Sequence, residues 1–305
     1  MIRTDAPEFG RVITAMVTPF DDALKVDFKA AQRIVGHLIE TGTESIVVAG
    51  TTGESPTLED DEKADLLKCV LETAGKRAKV IMGTGYNSTA KSIKASQEAE
   101  RLGAHGLLVV APYYNKPSQA GLIKHFEEVA RSTSLPVFVY NIPGRTGTNI
   151  TSDTMLEIAN RAGNIHALKD STGSVEQAAE IGGKARSDFR VYSGDDYLTL
   201  PFLSVGASGV VSVASHVVGN EIKDMMDSFF KGKLDRAREL HYQYLPLFKG
   251  LFAAPNPTCV KYALSTLGLC RPHLRMPLIE LDKAQKEALE KIMKQCLPSH
   301  SATRA

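Results

Sequence analysis

The sequence has no long apolar run and no excess of one charge. No stretch approaches the roughly 18 apolar residues that cross a bilayer, and Met1-Ile2-Arg3-Thr4-Asp5-Ala6-Pro7-Glu8 carries no apolar signal core. Neither a spanning protein nor a signal-bearing exported one is expected, and a cytoplasmic setting is. Lys and Arg number 36 against 35 Asp and Glu, a formal net charge of +1. These charges are spread along the chain, so no basic surface for nucleic acid or an acidic membrane is predicted, and the substrates are expected to be small molecules. The 4 cysteines (Cys69, Cys259, Cys270 and Cys296) lie far apart with no Cys-x-x-Cys spacing, which argues against a zinc site and a disulfide framework. The 8 histidines form neither His-x-His nor His-Glu-x-x-His, and no metal site is predicted.

What the chain does have is a rhythm. Apolar, largely β-branched runs recur at Val12 to Val17, Ser45 to Ala49, Lys79 to Met82, Gly106 to Val110, Pro136 to Tyr140, Ile165 to Lys169, Phe189 to Ser193 and Gly209 to Val213. Between them lie segments with helical apolar spacing, among them Asp27 to Glu40, Glu59 to Ala74, Thr89 to Leu102, Gln119 to Ser132, Ser152 to Arg161 and Val175 to Lys184. Runs without strict alternation suit a parallel sheet buried on both faces, and eight βα units predict a (β/α)8 TIM barrel over residues 1–232. An open doubly wound sheet is the alternative. Gly83-Thr84-Gly85 after the third run lacks the third glycine and the ribose-binding acid of a dinucleotide site, which counts against it. After a helix expected at Asn220 to Phe230 the pattern stays helical, at Lys233 to Phe248, Thr258 to Leu267 and Asp282 to Gln295. Residues 233–305 are therefore read as a C-terminal helical appendage.

A parallel barrel works at the C-terminal ends of its strands, so the residues after each run carry the chemistry. Run two ends in Gly50-Thr51-Thr52-Gly53-Glu54-Ser55, two hydroxyls between glycines where backbone amides can meet a carboxylate. Run four ends in Pro112-Tyr113-Tyr114-Asn115-Lys116-Pro117, and run five in Tyr140-Asn141-Ile142-Pro143-Gly144-Arg145-Thr146-Gly147. Run six ends on Lys169. Inside a pocket that amine is a Schiff-base nucleophile; at a strand's exit it is a solvated charge. Tyr140 is the candidate for proton transfer, with Thr51 and Tyr114 as available relay hydroxyls. Arg145, past a Pro-Gly turn, suits bidentate capture of a second substrate's carboxylate. Asp195 and Asp196 after run seven would repel a phosphate, and N-capping of the following helix is an equally good role for them.

These residues also carry a family resemblance. Gly50-Thr51-Thr52-Gly53-Glu54-Ser55, Pro112-Tyr113-Tyr114-Asn115, Tyr140-Asn141-Ile142-Pro143, Leu168-Lys169-Asp170, Ser193-Gly194-Asp195 and Pro255-Asn256-Pro257 stand in the order and spacing of dihydrodipicolinate synthases. The chain resembles that family nearly end to end, within the pyruvate-dependent class I aldolases that also include N-acetylneuraminate lyase. The resemblance implies that Lys169 forms a Schiff base with pyruvate, with no cofactor, and that the enamine adds to L-aspartate-4-semialdehyde. It implies Tyr140 as proton donor and acceptor, with Thr51 and Tyr114 as its relay, Tyr114 reaching in from a neighbouring subunit of a homotetramer, a dimer of dimers. Thr52 and the Val211 backbone would hold the pyruvate carboxylate, Arg145 would orient the semialdehyde, and Gly194 would be a further substrate-binding residue. Neuraminate lyases generally lack the arginine, so Arg145 favours the synthase over a sugar-acid aldolase such as a 2-keto-3-deoxy acid lyase.

Lysine-inhibited members are implied to bind lysine at residues matching Ser55, Asp60, Lys63, Asn87, Lys91 and Tyr113. Tyr113 and Asn87 fit that pattern; Asp60, Lys63 and Lys91 replace its usual aromatic, imidazole and glutamate groups. Two ammonium groups repel a lysine ligand. Initial rates with and without millimolar lysine are accordingly expected to coincide, and strong inhibition would sink this expectation.

Overall fold

The computed structural model describes residues 7–297. Its eight parallel strands are β1 (Val12–Ala15), β2 (Ser45–Val48), β3 (Lys79–Gly83), β4 (Gly106–Val110), β5 (Val137–Asn141), β6 (Ile165–Asp170), β7 (Arg190–Ser193) and β8 (Gly209–Ser212). Each pairs with its chain neighbours, and β8 returns to β1 through Val12↔Val210, Ile13↔Val211 and Thr14↔Ser212. The sheet closes, which excludes the open doubly wound alternative. Around it run α1 (Phe28–Glu40), α2 (Asp60–Ala74), α3 (Thr89–Arg101), α4 (Gln119–Arg131), α5 (Pro143–Thr146), α6 (Ser152–Arg161), α7 (Val175–Lys184), α8 (Thr199–Ser204) and α9 (Ser215–Phe230). The C-terminal helices are α10 (Leu234–Gly250), α11 (Thr258–Thr266) and α12 (Lys283–Cys296). Part of the 233–305 region, 298–305, lies outside the described residues. Among the described residues no helix is long and apolar enough to cross a membrane.

The strands are apolar on both faces because alternate side chains enter two different cores. Ile13, Val47, Leu108, Phe138, Ala167 and Val211 fill the barrel interior. Val12, Ile46, Leu107, Val139, Leu168 and Val210 face the helices. At the N-terminal end Phe9 plugs the interior, edge-on to Phe138 with centroids 5.0 Å apart, its carbonyl accepting from Ser45 Oγ at 2.6 Å. That end is shut, so only the C-terminal end can admit a ligand.

Helix starts follow local capping. Asp27, expected as the first helical residue, is instead the cap of α1 and accepts from the Ala30 amide at 2.9 Å. Three segments depart from the expected pattern. α9 begins at Ser215 rather than Asn220, because Val218 (φ −132°) kinks it and interrupts the periodicity. α5 and α8 span 4 and 6 residues, too short to show a period. Arg145 therefore stands on a helical turn, not merely beyond a bend.

Of the C-terminal helices α10 and α11 pack on α9 and α12 packs on those two, and the region sends polar groups back to the β2–α2 loop. Lys261 of α11 places Nζ 2.5 Å from Glu54 Oε1, with both side chains almost wholly buried. Nζ also donates to the His273 carbonyl at 2.7 Å, and Glu54 Oε2 accepts from the Arg275 amide at 3.0 Å. Burial lowers the Lys261 ammonium's pKa and the Glu54 charge opposes it. The pair is costly to break from one side. Lys261→Met should cost about 3 to 5 kcal/mol of stability by leaving Glu54 buried and unpaired. Adding Glu54→Gln should recover part of the loss in chemical denaturation; a double variant no more stable than the single one would contradict this account.

Candidate active site

Strand parity places the amine. Ala167 faces inward on β6 and Leu168 outward, so Lys169 returns to the interior. The strand also runs one residue beyond the expected end, to Asp170, which still pairs with Asn141 and Ser193. Lys169 is thus still in the ladder, between Tyr140 on β5 and Tyr192 on β7, and only 5% exposed. The strand-exit reading fails. Nζ lies 4.2 Å from the centroid of the Tyr140 ring.

Two phenols flank the amine, and their hydroxyls separate them. Tyr192 donates to the Gly10 carbonyl at 3.0 Å, toward the closed end of the barrel, and burial pushes its pKa up. Tyr140 is buried, with no hydrogen bond from its hydroxyl among the described residues. The uncommitted phenol is the one facing the mouth.

The β2–α2 loop is tightly wound. Ala49 and Glu54 take left-handed backbone at φ 52°, a conformation that disfavours side-chain-bearing residues by about 1 to 2 kcal/mol each. The amides of Gly53 and Ser55 return to the Gly50 carbonyl, and that of Glu54 to the Thr51 carbonyl. Among the described residues the amides of Thr51 and Thr52 have no acceptor, so two consecutive N–H groups are left for an anion. Thr52 is 2% exposed, and its Oγ1 accepts from Asn256 Nδ2 at 2.9 Å.

After β7 the loop lies against β6, with the Gly194 amide 2.7 Å from the Asp170 carbonyl. A Cβ at 194 would strike Ser171 Oγ and come within 3.0 Å of the Asp170 carbonyl oxygen, so a side chain there would oblige Ser171 to turn away. Neither acid that follows acts as the expected helix cap. Asp195 makes no capping bond. Asp196, 1% exposed, accepts from Ser212 Oγ and from the amides of Val213 and Ala214 at 3.1 and 2.9 Å. Barrel closure brings the end of β8 beside that of β7, and its unpaired donors take the carboxylate away from the nearer helix. Asp195 faces the amine electrostatically: burial pushes its pKa to about 6 while the Lys169 charge pulls it down. The sequence pointed to no carboxylate beside Lys169; Asp195 is one.

A cavity of about 860 Å³ opens above these groups, lined by Thr51, Tyr140 and Arg145 together with Ser55, Asp60, Lys63, Asn87, Lys91 and Tyr113. Thr51, Tyr140 and Arg145 thus share one space with the expected regulatory residues, whereas Lys169, Thr52, Val211 and Gly194 are not among the residues that line it. Lys63 is 7% exposed and donates to the Tyr86 hydroxyl at 2.8 Å. Tyr114 is not brought to the others: it is 89% exposed, at φ 73°. Asn256 and Asp195 were not singled out as site residues, although both fall within quoted motifs.

A buried amine beside a free phenol, with an anion nest at the rim of a parallel barrel, defines a lyase of the lysine-dependent aldolase class. The chain belongs to the Dihydrodipicolinate synthetase family, whose sequence model matches residues 8–296. It is 50% identical over 281 residues to 4-hydroxy-tetrahydrodipicolinate synthase 1 of Halalkalibacterium halodurans, covering 92% of this chain and 95% of that protein. Among solved structures, dihydrodipicolinate synthase from Bacillus anthracis superposes with a TM-score of 0.92 at 45% identity, covering 98% of this chain and 100% of that one. The enzyme from Cyanidioschyzon merolae, solved with lysine bound, gives 0.92 at 44%, covering 94% and 98%.

The Asp195 carboxyl also sets a pH dependence. Its folded pKa of about 6 lies above the ordinary aspartate value of 3.8, so the unfolded chain binds fewer protons between them and stability falls as pH rises through that window. Asp195→Asn removes this penalty and should gain stability relative to the parent between pH 4 and pH 8, by about 3 kcal/mol. Denaturation at both pH values checks it; a difference that does not grow with pH would refute the assignment.

Proposed function

We propose that the chain is a 4-hydroxy-tetrahydrodipicolinate synthase, condensing pyruvate with L-aspartate-4-semialdehyde at the first committed step of diaminopimelate and lysine biosynthesis. The observation that carries the reading is the Lys169 amine inside the barrel mouth against Tyr140. Family membership and relatives bearing that name support it.

Lys169 Nζ attacks the pyruvate ketone carbon, and the carbinolamine loses water to give an iminium. That cation is the electron sink, so the route needs no cofactor. Loss of a methyl proton gives the enamine, whose carbon adds to the aldehyde of the semialdehyde. The semialdehyde's own amine then attacks the imine carbon, closes the ring and frees Lys169. One water is lost overall. Tyr140 moves the protons at the carbinolamine and aldol oxygens, with Thr51 and Tyr114 as relay. The exposure of Tyr114 supports its serving a neighbouring subunit. The Thr51 and Thr52 amides and the Thr52 hydroxyl, with the Val211 backbone, hold the pyruvate carboxylate. Arg145 and the Gly194 loop receive the carboxylate of the semialdehyde, and Arg145 on the cavity wall favours this substrate over a sugar.

We read the working form as a cytoplasmic homotetramer, a dimer of dimers. Apart from Tyr114, the exposed Leu234 (52%) and Tyr242 (67%) lie together along one surface depression, which supports a second contact.

Borohydride reduction in the presence of pyruvate, followed by peptide mapping, tests the chemistry. The expected result is a single pyruvyl adduct on Lys169, absent from Lys169→Ala. No adduct there would refute the mechanism, and an adduct without turnover of the semialdehyde would assign the chain to a sibling aldolase.

A further inference from the structure

Thr52 hangs from a residue on the far side of the sequence. Asn256, just before α11 and 7% exposed, donates Nδ2 to Thr52 Oγ1 at 2.9 Å. A threonine hydroxyl offers one proton and two lone pairs. The amide fills one lone pair, and among the described residues nothing accepts the hydroxyl proton. A buried hydroxyl approached by a donor has its own proton left to give, and Thr52 is the chain neighbour of Thr51, which lines the cavity.

We propose that Asn256 is a positioning residue for pyruvate binding, holding Thr52 as a hydrogen-bond donor toward the substrate carboxylate. This rests on the reading of Thr52 as part of the pyruvate pocket. Two further observations bear on it. Asn256 Oδ1 is buried without a partner, so the bond to Thr52 is the contact that orients the amide. Lys261, five positions on and in α11, grips Glu54 at 2.5 Å, so loop and helix are pinned together at two points two residues apart. The amide cannot drift from the hydroxyl without breaking a buried ion pair. The C-terminal helical region thus reaches the pyruvate pocket through the polarity of one hydroxyl, although neither Asn256 nor Thr52 is among the residues that line the cavity.

The test compares Asn256→Asp, Asn256→Ala and Thr52→Val, alone and combined. Aspartate has the shape of asparagine but accepts where the amide donates, so it takes the hydroxyl proton that pyruvate needs. Asn256→Asp should raise KM for pyruvate roughly tenfold or more, one charge-assisted hydrogen bond's worth. The KM for the semialdehyde, and kcat at saturating pyruvate, should stay within about threefold. Asn256→Ala should raise KM in the same direction by a smaller factor, and it carries the test if the aspartate variant does not fold. In Thr52→Val, itself weakened for pyruvate, Asn256→Ala should have no further effect, because the group it acts through is gone. Independent, multiplying effects in the double variant would overturn the proposal, as would an unchanged pyruvate KM in both Asn256 variants. If Thr52→Val alone leaves that KM unchanged, the pocket reading itself falls.

Discussion

Everything at this site depends on strand parity inside a closed barrel. Successive side chains alternate between the interior and the helix layer, so an inward Ala167 obliges Lys169 to point inward too. The same rule sends Phe138 and Tyr140 inward on β5, and the β5–β6 register sets Tyr140 opposite Lys169. A slip of one residue in β6 would exchange the amine for Leu168 and turn it into the helix layer, and a slip in β5 would turn Tyr140 away instead. The apolar packing that fixes the register therefore fixes the chemistry. Phe9 completes the arrangement by closing the opposite end, which leaves the mouth as the one route along the barrel axis.

Much of this was legible in the sequence because it is local. The eight apolar runs and most long helices lie within a residue or two of the observed elements, since periodicity and caps such as Asp27 act over a few neighbours. Thr51, Tyr140 and Arg145 were legible as rim residues because a barrel's topology says where strand ends go, and all three line one cavity. What stayed hidden needed distance information. The sequence marks Tyr140 by its place at a strand end, but not that Tyr192 also flanks Lys169, nor that its hydroxyl is spent on the Gly10 carbonyl. The sequence leaves Asp196 equally suited to a substrate role and to capping the next helix, and only closure of β8 onto the sheet reveals the Val213 and Ala214 amides that claim it.

The C-terminal helices illustrate the same limit on a larger scale. Their apolar spacing foretold helices but not their reach into the β2–α2 loop across more than 200 residues of chain. That loop is an unfavourable object in isolation, with Ala49 and Glu54 in left-handed backbone and a carboxylate to bury. Lys261 offsets the buried charge, and Arg275 adds an amide to Glu54 while its guanidinium bridges to Glu62 of α2. A strained loop persists only where its surroundings over-determine it. Here the surroundings come from the appended helices, so their packing on α9 is a condition for the anion nest at Thr51 and Thr52 to exist.

The electrostatics close the argument. An amine sunk in an apolar barrel needs negative charge nearby, and three carboxyls follow it at the ends of β6 and β7. Burial pushes the pKa values of Asp170, Asp195 and Asp196 upward; the Lys169 charge pulls Asp195 and, more weakly, Asp196 back. Asp170 is turned outward by parity and held by Thr172, and Asp196 is spent on the β8 turn. Asp195 remains as the acid whose state is set chiefly by burial against Lys169. Asp195 is thus the carboxyl whose ionisation is coupled to the amine, because burial raises its pKa and the Lys169 charge lowers it.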